Sequence, residues 1–272
     1  MEQAVITFTT DFGIEDAYVA AMKGVVLGVN PEATLVDISH HIEPQNLLQA
    51  AFVLGTACPY FPERTIHVVV VDPGVGTRRR SIILSHQQAV FVGPDNGILG
   101  HVIGAASPQA YPGRVELVDL PPGFSAHAIT EGKYWHHPVS ATFHGRDIFA
   151  PVAGHLSLGL PPDAFGGAIS RIHALTVPTP RRSAGETSGC VLHVDHFGNI
   201  ITNLRQEDLP AGGWLIEVGG HRIEGPGESY QAAGGLGALI GSSGYIEIAA
   251  SNGNAARQLG VSVGDKIVAR DH

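Results

Sequence analysis

Over roughly the first two-thirds of the chain, short β-branched and apolar runs alternate with longer segments whose apolar positions recur at helical spacing. This is the sequence form of βαβ units around a largely parallel sheet. The pattern predicts strands near 5–9, 34–38, 66–71, 81–84 and 89–92, with helices near 16–27 and 45–57. Beyond residue 189 the rhythm changes. Strand-like runs near 191–194, 214–218, 245–249 and 266–269 are separated by Gly-rich turns and carry little helical pattern, as in a small antiparallel barrel or sandwich. Between the two regimes, residues 174–189 are rich in Pro, Ser, Thr and Gly and have little to bury, so they are expected to form a linker. The expected organisation is therefore an α/β N-terminal domain over 1–173, a linker over 174–189, and a small all-β, barrel-like C-terminal domain over 190–272.

Composition narrows the class of ligand. Hydrophobic residues make up 44% of the 272 residues and charged ones 15%, which fits a well-buried globular protein rather than a disordered or coiled-coil chain. Sixteen Lys and Arg against 25 Asp and Glu give a formal charge of -9. Such a field repels nucleic acid and anionic membranes, leaving a small molecule as the natural partner. Cys58 and Cys190 lie far apart with no CxxC spacing and read as reduced core thiols of a cytosolic protein. The chain runs from Met1-Glu2-Gln3 straight into a strand pattern, with no basic leader and no apolar stretch of bilayer length, so the cytoplasm is the expected location.

Several short motifs carry chemistry. The first strand pattern ends in Thr9-Thr10-Asp11-Phe12-Gly13, which puts a carboxylate at a strand's carboxyl end, where open α/β sheets bind ligands. Asp11 can hold a ribose diol through charge-assisted bonds, or it can close the strand as an Asx-turn; Asp16 has the same ambiguity and is expected to begin the helix. The buried run Val68-Val69-Val70-Val71 stops at Asp72-Pro73-Gly74-Val75-Gly76-Thr77, followed by Arg78-Arg79-Arg80. That loop either approaches a ligand while presenting Asp72 to an arginine, or is a surface turn before a solvated basic run. Its glycines match neither a dinucleotide fingerprint nor a phosphate-cradling loop.

Thr142-Phe143-His144-Gly145-Arg146-Asp147 packs a histidine, an arginine and an aspartate just before a helical pattern. His144 can relay a proton, or Asp147 can cap the helix with Arg146 paired to it and His144 a bystander. The pairs His40-His41 and His136-His137 lack metal-ligand spacing, so no metal is expected. In the second domain, Asp195-His196-Phe197-Gly198-Asn199 reads as a hairpin. Ser242-Ser243-Gly244-Tyr245 and Ser251-Asn252-Gly253-Asn254-Ala255 offer hydroxyls, amides and backbone groups suited to an amino acid or an adenine edge, or are ordinary loops.

Taken together, Thr9 to Gly13, Val71 to Thr77, Pro94-Asp95-Asn96-Gly97, His144 to Asp147 and Asp195 to Asn199 resemble, in order and spacing, the S-adenosyl-L-methionine hydroxide adenosyltransferases, relatives of the fluorinase and chlorinase. The resemblance covers nearly the whole chain. It implies an α/β domain followed by a β-barrel-like domain, and a homotrimer with sites between the N-domain of one subunit and the C-domain of the next. It implies hydrolysis of S-adenosyl-L-methionine to adenosine and L-methionine by attack of water or hydroxide at ribose C5′, with no cofactor.

Carried onto this chain residue by residue, the resemblance assigns Asp72, Arg79 and His144 to a water-activating trio. Asp11 would hold the ribose diol, and Asp16, Asp195 and Ser242 would face the methionine part. Asn199, Asn254 and Ala255 would address the adenine edge, with Tyr230 a stacking partner. Where the fluorinase carries a tyrosine and a serine, this chain has Asp72 and Gly145, which removes a halide donor and places negative charge beside the nucleophile. That exchange favours water over an anion. Ser243 stands where the halogenase has an arginine, and Ile201 replaces an aromatic residue. The rival readings are a chlorinase, a non-catalytic sensor of S-adenosylmethionine or adenosine, and a metal-dependent nucleotide hydrolase.

Overall fold

A computed structural model describes residues 3–86, 89–104, 106–107, 114–183, 185–209, 212–227 and 235–271. Two compact units divide the chain: residues 1–105 with 115–175, and residues 106–114 with 176–272.

In the first unit, strands β1 (Val5–Thr10), β2 (Thr34–Ser39), β3 (Thr65–Val70), β4 (Ser81–Ser85) and β5 (Ala89–Pro94) join Ser125–Ala128 and Ala168–Ile169 in one sheet of order β2-β1-β3-β5-β4-(125–128)-(168–169). The first three neighbouring pairs are parallel and the last three antiparallel. Helices α1 (Tyr18–Val29) and α2 (Leu47–Ala57) make the crossovers that parallel strands require. Only three residues separate β4 from β5, too few for a crossover, so that pair is antiparallel.

All six residues of β3 are buried because both sheet faces are covered. Val68 and Val70 enter one core cluster with Met22 and Phe149, while Val69 and Val71 enter another with Leu54 and Leu84. The two-residue strand period thus feeds two cores from one run. Full burial of each such side chain contributes about 1.5–3 kcal/mol. Helix α2 starts where Asn46 accepts from the Gln49 backbone N–H.

Chain direction positions the site. From β1 the chain passes through α1 to β2 on one side, then through α2 back across to β3 on the other. The connections leaving the carboxyl ends of β1 and β3 therefore diverge and open a crevice there.

The second unit is an antiparallel sheet of order (221–225)-(214–218)-(266–271)-(186–194)-(200–205)-(245–250)-(236–240), with Arg181–Ser183 pairing on Glu186–Val194. Its edge strands His221–Gly225 and Leu236–Ile240 approach each other, so the sheet nearly closes into a barrel around Val191, Ile200, Trp214, Ile216, Ile248 and Ile267. The stretch 174–189, expected to be a linker, carries the end of Arg171–Leu175, Val177–Pro178, Arg181–Ser183 and the start of Glu186–Val194. Backbone ladder bonds to Lys266–Asp271 hold that last strand where its sequence has little to bury. Among the described residues no helix is long and apolar enough to cross a membrane. Cys58 and Cys190 are free thiols, and burial raises both, Cys190 to about 11.

Candidate active site

Asp11 follows directly on β1. Its Oδ2 accepts the Gln45 backbone N–H at 2.8 Å, and Gln45 holds a left-handed φ of 66° to present it. Asp11 is thereby an anchor between two loops that still has a second oxygen to offer. Beneath it, the buried Thr10 hydroxyl meets His40 Nδ1 at 2.8 Å, and the Gly13 N–H donates to the His40 carbonyl at 2.8 Å. Asp16 is exposed, and the N-cap of α1 is Ala17 with no side-chain cap bond. The expectation that Asp16 begins the helix is therefore corrected: the chain turns in before a carboxylate can reach the first amides.

After β3, two successive turns fold Asp72-Pro73-Gly74-Val75-Gly76-Thr77 back on itself, through Val75 N–H to Asp72 O at 3.2 Å and Thr77 N–H to Gly74 O at 3.1 Å. This return brings Arg79 alongside Asp72, where its Nε lies 3.0 Å from each carboxylate oxygen and its Nη2 pairs with Oδ2. The pair is sheltered, with 5% of the Asp72 and 10% of the Arg79 side chain exposed. Arg79 also donates to Ser81 Oγ at 2.7 Å, and its guanidinium lies 5.3 Å from the Phe149 ring centroid. The three arginines diverge: Arg78 is exposed, Arg79 faces Asp72, and Arg80 pairs with Asp95.

The segment Gly145–Phe149 is a π-helical turn leading into α3 (Ala150–Ser157). Such widened turns re-aim side chains and recur at functional sites. A Cβ on Gly145 would sit 3.1 Å from Met22 Sδ and 3.3 Å from Phe143, so the missing side chain lets this turn pack close over β3. Asp147 is fully buried and bonds Arg146 and the Ser140 N–H rather than capping a helix. The Arg146–Asp147 pair forms as the sequence allowed, and His144 turns to Arg79. Its Nδ1 lies 2.9 Å from Arg79 Nη2. Burial, and next the Arg79 charge, hold the imidazole below its ordinary pKa against the opposing pull of Asp72 and Asp147.

Asp11, Asp72 and His144 line one cleft of about 380 Å³ at the ends of β1 and β3, together with Phe12, Tyr18 and Phe143. These three rings contact one another at centroid distances of 5.3–5.8 Å. A larger hollow of about 520 Å³ lies against α1 and α3, lined by Gly24, Tyr134, Trp135 and His155. It contains neither Asp11 nor Asp72. Phe12, Tyr18 and Gln45 also line the smaller cleft, and sequence reasoning singled out none of them as site residues; Gln45 meets Asp11 through its backbone N–H, which carries no side-chain signal.

In the second unit, Asp195 Oδ1 accepts from the N–H groups of Phe197 and Asn199 at 2.9 and 2.8 Å, and Oδ2 from Asn199 Nδ2 at 2.9 Å. The Gly198 turn, with φ of 86°, packs against the Asn254 side chain. Asn254 Oδ1 caps the short helix Ala255–Leu259 through the Arg257 N–H, and Ala255 is buried within it. Asp195, Asn199, Asn254 and Ala255 therefore come together. Ser242 is exposed in the turn before Tyr245–Ala250, at the other end of that strand from Asn254. Ile201 is buried, and Tyr230 lies outside the described residues. Among the described residues no three His, Cys, Asp or Glu side chains group to hold a metal.

A cleft at the divergence of two parallel strands, holding an arginine-bridged carboxylate and imidazole, defines an α/β enzyme acting on a small molecule, joined to a β-barrel-like unit. Residues 6–166 match the SAM hydroxide adenosyltransferase N-terminal domain and residues 189–268 its C-terminal domain, and the chain belongs to this family. It is 40% identical over 260 residues to a (R)-S-adenosyl-L-methionine hydrolase of Thermus thermophilus, covering 95% of this chain and 96% of that one. It is 39% identical to a protein of the same name from Salinispora tropica, covering 96% of each. A fluorinase of Actinoplanes sp. is 28% identical over 77% of this chain and 74% of its own. The crystal structure of an uncharacterized conserved protein from Thermotoga maritima superposes with a TM-score of 0.85 at 33% identity, covering 98% of this chain and 100% of that one.

Proposed function

We propose that the protein hydrolyses S-adenosyl-L-methionine to adenosine and L-methionine, with water attacking ribose C5′ in line with the departing sulfur. The observation that carries this reading is the Arg79 bridge between Asp72 and His144, which line one cleft with Asp11. Hydrolases of that name among the relatives at 36–40% identity support it.

The geometry divides the labour. Asp11 binds the ribose diol through the oxygen not taken by Gln45. Arg79 orients Asp72, and a lone pair of Asp72 left over by the arginine accepts a proton of the water. His144, with Nδ1 turned to Arg79, keeps its proton on Nε2 and orients the water by a hydrogen bond from that N–H, with no proton transferred. The O–C5′ bond forms as the C5′–S bond breaks. Its electron pair goes to sulfur, which leaves as the neutral thioether of methionine, so no general acid is required. Positioning can supply ~7–11 kcal/mol of the barrier and the base ~10²–10⁴-fold.

Asp16, Asp195 and Ser242 are assigned to the methionine part and Asn199, Asn254 and Ala255 to the adenine edge, with Tyr230 as stacking partner. Asn254 would contribute Nδ2, its Oδ1 being the helix cap. The protein is proposed to work as a metal-independent homotrimer in the cytoplasm, consistent with its two free thiols.

Incubation with S-adenosyl-L-methionine in chloride-free buffer, with chloride and EDTA added in parallel, tests the reading by product chromatography. Adenosine and methionine in every arm are expected. A 5′-chloro product would make the protein a chlorinase, loss of turnover with EDTA a metal enzyme, and tight binding without product a sensor. Sedimentation analysis tests the trimer.

A further inference from the structure

The motif Pro94-Asp95-Asn96-Gly97 touches no part of the cleft, yet its two polar side chains reach the residues on either side of the Asp72–Arg79 pair. Asn96 Nδ2 donates to the Val71 carbonyl at 2.8 Å, one residue before Asp72. Asp95 accepts from Arg80 Nε at 2.8 Å, one residue after Arg79, and its own N–H donates to the Arg80 carbonyl at 2.9 Å. Arg79 Nη1 approaches that carbonyl at 3.5 Å. The Asp95 side chain is fully buried and also accepts the His173 N–H at 2.7 Å.

We infer that Asn96 and Asp95 are positioning residues that fix the spacing of Asp72 and Arg79 by holding the two ends of the loop between them, Asn96 at Val71 and Asp95 at Arg80. The inference rests on the water-activating role proposed for that pair. Strand β5 pairs in parallel with β3 as far as Val92 and ends at Pro94, and Gly97, with φ of 113°, lies just beyond it. Without Asn96 the Val71 carbonyl would lose the partner that replaces the next strand residue. The loop of residues 73–78 has two glycines and would let Asp72 pivot on its own backbone. Because reaction rate depends steeply on placement while ground-state binding does not, a loosened Asp72 lowers kcat more than it raises KM.

Asn96→Ala and Asn96→Asp are compared with the parent protein, with active sites counted by the stoichiometry of adenosine binding. Asn96→Asp keeps the shape but sets a carboxylate oxygen where the donor faced the Val71 carbonyl, so it carries the test if the alanine variant does not fold. The expected result is a fall of about 10- to 100-fold in kcat per site with KM for S-adenosyl-L-methionine within about threefold. A role in folding alone would reduce the number of sites and leave kcat per site within twofold, and that result overturns the inference. Asp72→Asn is measured alongside. If it stays active, the proposed role of Asp72 fails; if it is inactive while the Asn96 variants turn over normally, only the positioning role fails.

Discussion

Arg79 Nη2 lies 2.9 Å from His144 Nδ1. A guanidinium nitrogen can only donate, so the imidazole nitrogen facing it is the bare acceptor and the ring proton sits on Nε2. The same contact opposes protonation, since a second proton on the ring would set two cations against each other. Burial and Arg79 together hold the His144 pKa below 6.5.

The pH dependence of turnover follows from that contact. Acid converts His144 to the imidazolium only below its depressed pKa, so the acid limb of kcat assigned to this ring should fall below pH 6.5, with no further change from it above. In His144→Gln the limb should disappear and kcat should drop about tenfold or more. A pH–rate profile with its inflection at or above 6.5, unaltered in the variant, would contradict the assignment.

Asp72→Asn keeps the size of the side chain and removes the base. We expect kcat to fall by ~10²–10⁴-fold while adenosine affinity changes little, because Asp11 and not Asp72 is assigned to the ribose. Stopped-assay product analysis and calorimetric titration with adenosine separate the two quantities. Survival of near-parental turnover would move the base elsewhere.

His67 offers a stability test away from the chemistry. It is fully buried beneath Phe91, its Nδ1 meets the Thr7 hydroxyl at 2.7 Å, and burial pushes its pKa to about 4. Between pH 6.5 and 4 the unfolded chain takes the proton and the folded one does not. Stability is therefore fully present above about pH 6.5 and declines by about 3 kcal/mol as pH falls through this window. Urea midpoints at pH 7 and 4.5 should differ less in His67→Gln than in the parent. Equal pH dependence in the two proteins would mean that another group dominates.

Gly76→Ala should damage both fold and activity. Gly76 has φ of 75°, a conformation that costs an L-residue about 1–2 kcal/mol, and a Cβ there would collide with the Ala141 carbonyl. Relief of that collision requires the Asp72 loop to part from the segment leading to His144. A lowered thermal midpoint together with reduced kcat is expected, and a variant with parental kcat would show that the loop yields elsewhere.

The β1–β5 strands and the first two helices were legible because their signals are local. The run Val68 to Val71 is apolar on both faces, and Asp11 and Asp72 stand where such strands stop. The antiparallel setting of β4, and strands such as Ser125–Ala128 and Arg171–Leu175, were not legible. Strand direction follows from connection length, and those strands are short, Ser125–Ala128 being four small or polar residues with little strand propensity. The first residues of Glu186–Val194 carry no strand signal in sequence because they are held by backbone pairing rather than by burial.

By itself the sequence determined the succession of an α/β and an all-β region and, through the order of its motifs, the family and the candidate trio. Tertiary structure decided several local contacts that the sequence left open. Asp16 leaves the helix uncapped, Asp147 serves Ser140 and Arg146, and Asn254 caps a helix with one atom of its amide. It also decided that Arg79 rather than Arg78 or Arg80 faces Asp72, and that His144, 65 residues along the chain, meets the same guanidinium. The physical reason is reach. Periodicity and turn chemistry act over a few residues, whereas the direction in which a side chain leaves a loop is set by the packing of strands distant in sequence.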